Sequence, residues 1–200
     1  MKKFIVAILM VAVATTAVAQ KVSKAASKQA KEFAKQGWLV TPGSLPLEQQ
    51  FERSYQMRGQ IDDMGYPKFI IAEAKTPGKS YDAAKMQALD LAKINLAGLI
   101  QTEVAALIEG NAANKQLAAE DAESVAETVQ ASKSLIAQSI GRVITVVECY
   151  QVNKNKTTTV YVSIAYNQKM AMEAAKNVIR EELEKKGEKL HAQLDKLLAR

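Results

Sequence analysis

The 200-residue chain has one cysteine, one histidine and one tryptophan. A lone cysteine excludes an intramolecular disulfide framework and any cysteine-rich zinc site. A lone histidine removes most metal-centre and triad chemistry, where imidazoles work in numbers or inside an orienting shell. Prolines number four and aromatics make up 6% of the residues. With 48% hydrophobic and 24% charged residues, the chain is neither a disordered polyelectrolyte nor a multi-span membrane protein. Its length suits one domain, with or without an appendage, and a buried core.

Residues 1–20 read MKKFIVAILMVAVATTAVAQ. Lys2 and Lys3 form a positive start, Phe4 to Val13 is unbroken apolar, and Ala17-Val18-Ala19 supplies the small residues a leader peptidase needs. This is the pattern of a signal peptide over residues 1–19, cut between Ala19 and Gln20. Its apolar stretch is shorter than the roughly 20 residues that span a bilayer. The only thiol, Cys149, is far downstream, so no lipid can be attached at a mature N-terminal cysteine. The expected location is exported, periplasmic or outer-membrane associated, and not lipid-anchored. Loss of Lys2 and Lys3 from 27 basic residues leaves 25 against 21 acidic ones, a net charge of +4. That surplus, on an exported chain, argues against a nucleic-acid partner.

Residues 20–67 read as a helical segment. Lys21, Lys24, Lys28, Lys31 and Lys35 recur in steps of three and four, which places five ammonium groups on one helical stripe. Val22, Ala26, Ala30 and Phe33 make a weak apolar face, and Gly37 marks the stop. Pro46 opens a short helix through Leu47, Phe51 and Tyr55 to about Arg58. Trp38 is expected to cover a core edge. Asp62 and Asp63 lack the alternating oxygen ligands of a calcium loop and read as turn residues.

Residues 68–180 read as an α+β unit. Lys68–Thr76 is a strand between prolines, and Tyr81 to about Glu109 is a long helix closed by Gly110-Asn111. A second helix runs from about Leu117 to Ser139. Arg142–Asn153 and Thr157–Tyr166 are strands joined by a polar hairpin turn. Helix continues from Gln168 into a 181–200 extension, where Leu183, Leu190, Leu194 and Leu197 form an apolar seam that folds back on residues 20–36 or takes a partner helix. The expected fold is a small three-stranded antiparallel sheet with long helices on one face, in the order α-α-β-α-α-β-β-α.

Little in this pattern is catalytic. Gly78-Lys79-Ser80 sits between a strand and a helix, the context of a phosphate loop. Glu73 stands where the first glycine belongs, and Pro77 removes an amide donor, so the string reads as a turn and a helix cap. Glu148 could imitate a magnesium-side acid, but the sheet has too few strands for a doubly wound nucleotide fold. Cys149 lies mid-strand, where a buried inert thiol is expected. His191, beside Lys189 and Asp195, has no orienting shell. No catalytic residue, cofactor site or metal site is assigned.

The strand leading through Pro77-Gly78 enters a helix carrying Ala83, Ala84, Ala88, Ala92 and Ala97. Ile140-Gly141-Arg142-Val143 opens a later strand, followed by the Val160-Tyr161-Val162 strand and a closing helix. Over residues 68–180 this resembles the lipoprotein-20 family of bacterial outer-membrane lipoproteins and flagellum-associated envelope relatives. The resemblance implies an envelope location, a compact α+β domain, and assembly or surface roles without catalysis. This chain lacks the family's lipid-bearing cysteine. Two functions follow as expectations. The first is a non-enzymatic envelope protein that assembles with itself or with other envelope proteins, with peripheral membrane contact. The second is a module that binds an anionic lipid headgroup or glycan through the lysine stripe.

Overall fold

The computed structural model describes residues 22–113, 119–185 and Leu194. Its elements are α1 (Lys24–Lys35), α2 (Leu47–Arg58), β1 (Phe69–Gly78), α3 (Tyr81–Ala113), α4 (Ala119–Ala131), α5 (Lys133–Ser139), β2 (Ile144–Val152), β3 (Thr158–Asn167) and α6 (Gln168–Lys185). The three strands form one antiparallel sheet in the order β1-β3-β2, so the fold is α+β.

Local chemistry sets the element ends. Ser23 caps α1, its Oγ accepting the Ala26 N–H at 3.3 Å. Gly37 takes a φ of +86° after it, as the C-terminal stop requires. Asp62 Oδ1 accepts the Met64 and Tyr66 N–H groups at 3.0 and 2.8 Å, which makes it a turn residue. Two helix boundaries differ from the sequence expectation. α3 runs through Gly110 and Asn111, because a glycine lowers helix propensity without removing a hydrogen bond. The stretch ending at Ser139 is broken at Ser132, whose Oγ donates to the Thr128 carbonyl at 2.7 Å and whose ψ is 2°.

The sheet is covered on both faces. On one, Ala72, Ala74, Val160, Val162, Ile164 and Tyr166 meet Ala84, Ala88, Ala92, Leu96 and Ile100 of α3, with α4, α5 and α6 behind. Full burial of a side chain such as Ile164 or Leu96 contributes about 1.5–3 kcal/mol. The approach is tight at Gly78, where a Cβ would lie 2.6 Å from the Ala84 nitrogen. On the other face, Val147 packs with Ala26, Ala30 and Phe51, and Val146 and Ala165 pack with Met57. The long helices α3 and α6 keep to the first face as expected, and the 12-residue helices α1 and α2 cover the second. The second row of β3, Tyr161, Ser163 and Ala165, lies beneath α1 and α2.

The apolar line of α6 turns inward. Leu183 and Leu194 are fully buried in the main core, and α6 packs on α3, α4 and α5. Those two side chains are thus unavailable to a partner helix, and α6 does not lie on α1. Leu190, Leu197 and His191 fall outside the described residues.

Candidate functional site

α1 is two-sided. Ala26 and Ala30 are buried against α2, while Lys24, Lys28, Lys31 and Lys35 are exposed on the opposite side. The geometry follows from 100° per residue: the four lysines fall within one narrow arc and the alanines lie across the axis. Among the described residues these four ammonium groups have no ion pair. Lys21, the fifth of the stripe, lies outside the described residues, as do Ala19 and Gln20 at the expected cleavage point.

The mounting of α1 is specific. The Ser23 N–H donates to Glu52 Oε2 at 2.8 Å, and the Ser27 hydroxyl donates to Glu48 Oε1 at 3.0 Å. The hydrogen bonds from Ser23 hold the Glu52 carboxyl below its ordinary range. Phe33 packs edge-on against Phe51 and Tyr161, at 5.0 and 5.4 Å between ring centroids. Trp38 closes the cluster and is buried, covering the core edge as expected. A cationic ridge is thereby fixed to the sheet instead of swinging on a tether.

The outer margins of the sheet differ. Tyr150 on β2 exchanges both backbone hydrogen bonds with Leu39, each at 2.8 Å. The neighbouring outward amide, that of Glu148, donates to Gln50 Oε1 at 2.7 Å, and Gln50 is buried. Glu148 itself accepts from the Tyr81 hydroxyl and from Lys85 Nζ, the latter at 2.8 Å. Burial, then the Glu148 carboxylate, pushes the Tyr81 phenol upward. Glu148 is therefore a structural anion joining β2 to α3.

Among the described residues β1 has no such cover. The Lys68 carbonyl accepts the Gln168 N–H at 2.9 Å and so faces inward, whereas the Glu73 carbonyl accepts from Asn95 Nδ2 of α3 at 2.8 Å and faces outward. Strand alternation then turns Ile71, Lys75 and Pro77 outward as well. Pro77 has no N–H, which suits an outward position on an edge. The strand reaches Gly78 instead of ending at Thr76 for this reason. Glu73 pairs with Arg58 of α2 in an exposed contact.

The remaining reactive groups are built into the framework. Cys149 is buried, and burial followed by the Glu148 charge pushes its thiol up to about 12. Gly78-Lys79-Ser80 is a turn and a cap: Ser80 Oγ accepts the Ala83 N–H at 3.2 Å. Spacing located the lysine stripe; the two sheet margins left no signal in it. In comparisons with known proteins, the chain matched no family model, no curated protein and no solved structure.

Proposed function

We propose that this is an exported, non-enzymatic cell-envelope protein acting as an interaction module that docks on an anionic envelope surface through the outward face of α1. The observation that carries the reading is the row Lys24, Lys28, Lys31 and Lys35, exposed and, among the described residues, without ion pairs, on a helix whose other side is fixed to the sheet. A ridge held this way keeps its charges together without ordering them at the moment of contact. The leader-like residues 1–19 and the lipoprotein-20-like pattern over residues 68–180 support the envelope location. The burial of Cys149 and the commitment of Glu148 to Tyr81 and Lys85 support a framework role for the two groups nearest to chemistry.

The shared ligand chemistry is an oxyanion, phosphate on a lipid or carboxylate on a glycan. Co-sedimentation with phosphatidylglycerol vesicles and binding to an acidic polysaccharide are compared at rising salt. Changing Lys24, Lys28, Lys31 and Lys35 together to Gln is expected to weaken the bound form by about a hundredfold at low ionic strength. Binding that is indifferent to both salt and the substitution refutes the docking face.

Assembly is a second reading, favoured by the uncovered margin of β1.

A further inference from the structure

We propose that the outer margin of β1 receives a second copy of this chain, adding its own β1 antiparallel about a two-fold axis at Ala74 and continuing the sheet through both copies. The inference does not depend on α1 docking, since it uses neither the lysine row nor an anionic ligand.

Backbone parity comes first. Ile71, Glu73 and Lys75 turn their N–H groups outward, as the Asn95 bond to the Glu73 carbonyl shows. A two-fold axis at Ala74 sets Glu73 against Lys75 of the second copy as a doubly hydrogen-bonded pair, and sets Ile71 against Pro77. Ile71 then donates to the Pro77 carbonyl, and the missing proline N–H leaves no donor stranded. At ten residues β1 is long for an uncovered edge, which proteins ordinarily blunt or cover.

Charge then chooses the register. With the axis at Ala74, each Glu73 carboxylate, already paired on one side with Arg58 of its own chain, faces a Lys75 ammonium of the second copy, and this happens twice. An axis at Glu73 or at Lys75 opposes like charges, which destabilises a strand pair. An axis at Ala72 sets Glu73 against Ile71 and Lys75 against Phe69, with no complement. Charges on an edge deter random pairing, and here they admit the partner whose charges interleave.

The flank of α3 agrees. Leu91 and Leu99 are 37% and 48% exposed, one turn either side of Asn95. Leu99 and Ile71 line a cleft of about 410 Å³ beside the strand. The two-fold axis brings this flank against its equivalent and removes both leucines from water. Asn95 is exposed, and its amide occupies the carbonyl that the Lys75 N–H of the second copy would take, so it is a displaceable cap.

The test uses the full chain, expressed with its leader and purified as the cell processes it, in sedimentation equilibrium. The unaltered protein is expected to form dimers. Glu73→Lys and Lys75→Glu, first matched to it by circular dichroism and melting, are each expected to raise the dimer dissociation constant about tenfold. The double exchange Glu73→Lys/Lys75→Glu, made together with Arg58→Glu so that residue 73 keeps an opposite charge on its own chain, restores it. Ala74→Cys, facing itself across the axis, is expected to oxidise to a linked dimer, and Ala72→Cys is not. A chain that stays monomeric at its highest soluble concentration overturns the proposal. So does a double exchange that fails to restore dimers, or cross-linking through Ala72→Cys as ready as through Ala74→Cys.

Discussion

The two margins of the sheet solve the same problem differently. β2 is closed by its own chain: Leu39 takes both backbone groups of Tyr150, and a buried glutamine takes the Glu148 N–H. Among the described residues the outer backbone of β1 is met by one exposed asparagine on one carbonyl. The difference follows from where the helices stop. α2 and the connector after α1 arrive beside β2, whereas among the described residues the flank of α3, the Arg58 side chain and Lys133 of α5 lie along the outer side of β1. A margin closed by buried groups belongs to the core, and its loss is a stability event. A margin capped by exposed ones stays available.

The contrast can be broken from the closed side first. Trp38→Ala removes the ring that holds the Leu39 connector against Phe33 and Tyr161. It is expected to lower stability by about 3 kcal/mol. Chemical denaturation measures the loss, and hydrogen exchange should show the Tyr150 amide losing protection along with it. If Tyr150 keeps its protection, the connector does not depend on the tryptophan.

Gln50→Ala strands the Glu148 amide in a buried setting and frees the Leu45 carbonyl, which accepts from the same side chain at 2.6 Å. The expected loss is about 1–2 kcal/mol, read by the same denaturation series.

The thiol next along β2 sharpens the comparison through pH. Cys149 has its value raised from 9.0 to about 12 in the folded chain, so the folded state holds a proton that the unfolded state releases. Its contribution is fully present below pH 9.0 and is lost as pH rises towards about 12. Between the ordinary thiol value of 9.0 and the ordinary phenol value of 10.0, stability should fall with a limiting slope of about 1.4 kcal/mol per pH unit. Cys149→Ala should make that interval shallower, the slope that remains coming from the raised Tyr81 and Tyr161 phenols. Above it Tyr161, whose phenol is raised by burial and then by Glu73, adds a loss of the same sign.

On the open side, Asn95→Ala should change monomer stability by less than about 0.5 kcal/mol, because water replaces an exposed bond. A loss as large as that of Gln50→Ala would mean the two margins are equally sealed.

Much of the architecture was legible in the sequence. β-branched alternation marked β2 and β3, and the absence of proline marked α3. Steps of three and four marked the lysine face that now stands outward on α1. Other features depended on contacts that no local pattern carries. Alternation says which residues share a face of β3, but Ser163 and Ala165 gave no sign that a helix layer would lie over them. Leu183 and Leu194 showed an apolar line without showing that the main core would receive both. Ser132 ended a helix through a hydroxyl bonding back to Thr128, a habit serine shares with many uninterrupted helices. Which strand would be marginal followed from topology alone: β1 joins β3 from across α3, α4, α5 and β2, and nothing in Lys68–Thr76 records on which side it will lie.

That same strand order bears on timing. β3 lies between β1 and β2 and pairs with both, and it is the last of the three strands to be made. Phe69 must wait for Asn167 before its first ladder contact exists. No sheet can begin until nearly all of these residues have left the ribosome, and the longest-range pairing closes last and slowly. For the exported protein proposed above, this delay leaves the chain a thread while a translocation channel needs a thread, with its sheet assembled on the far side.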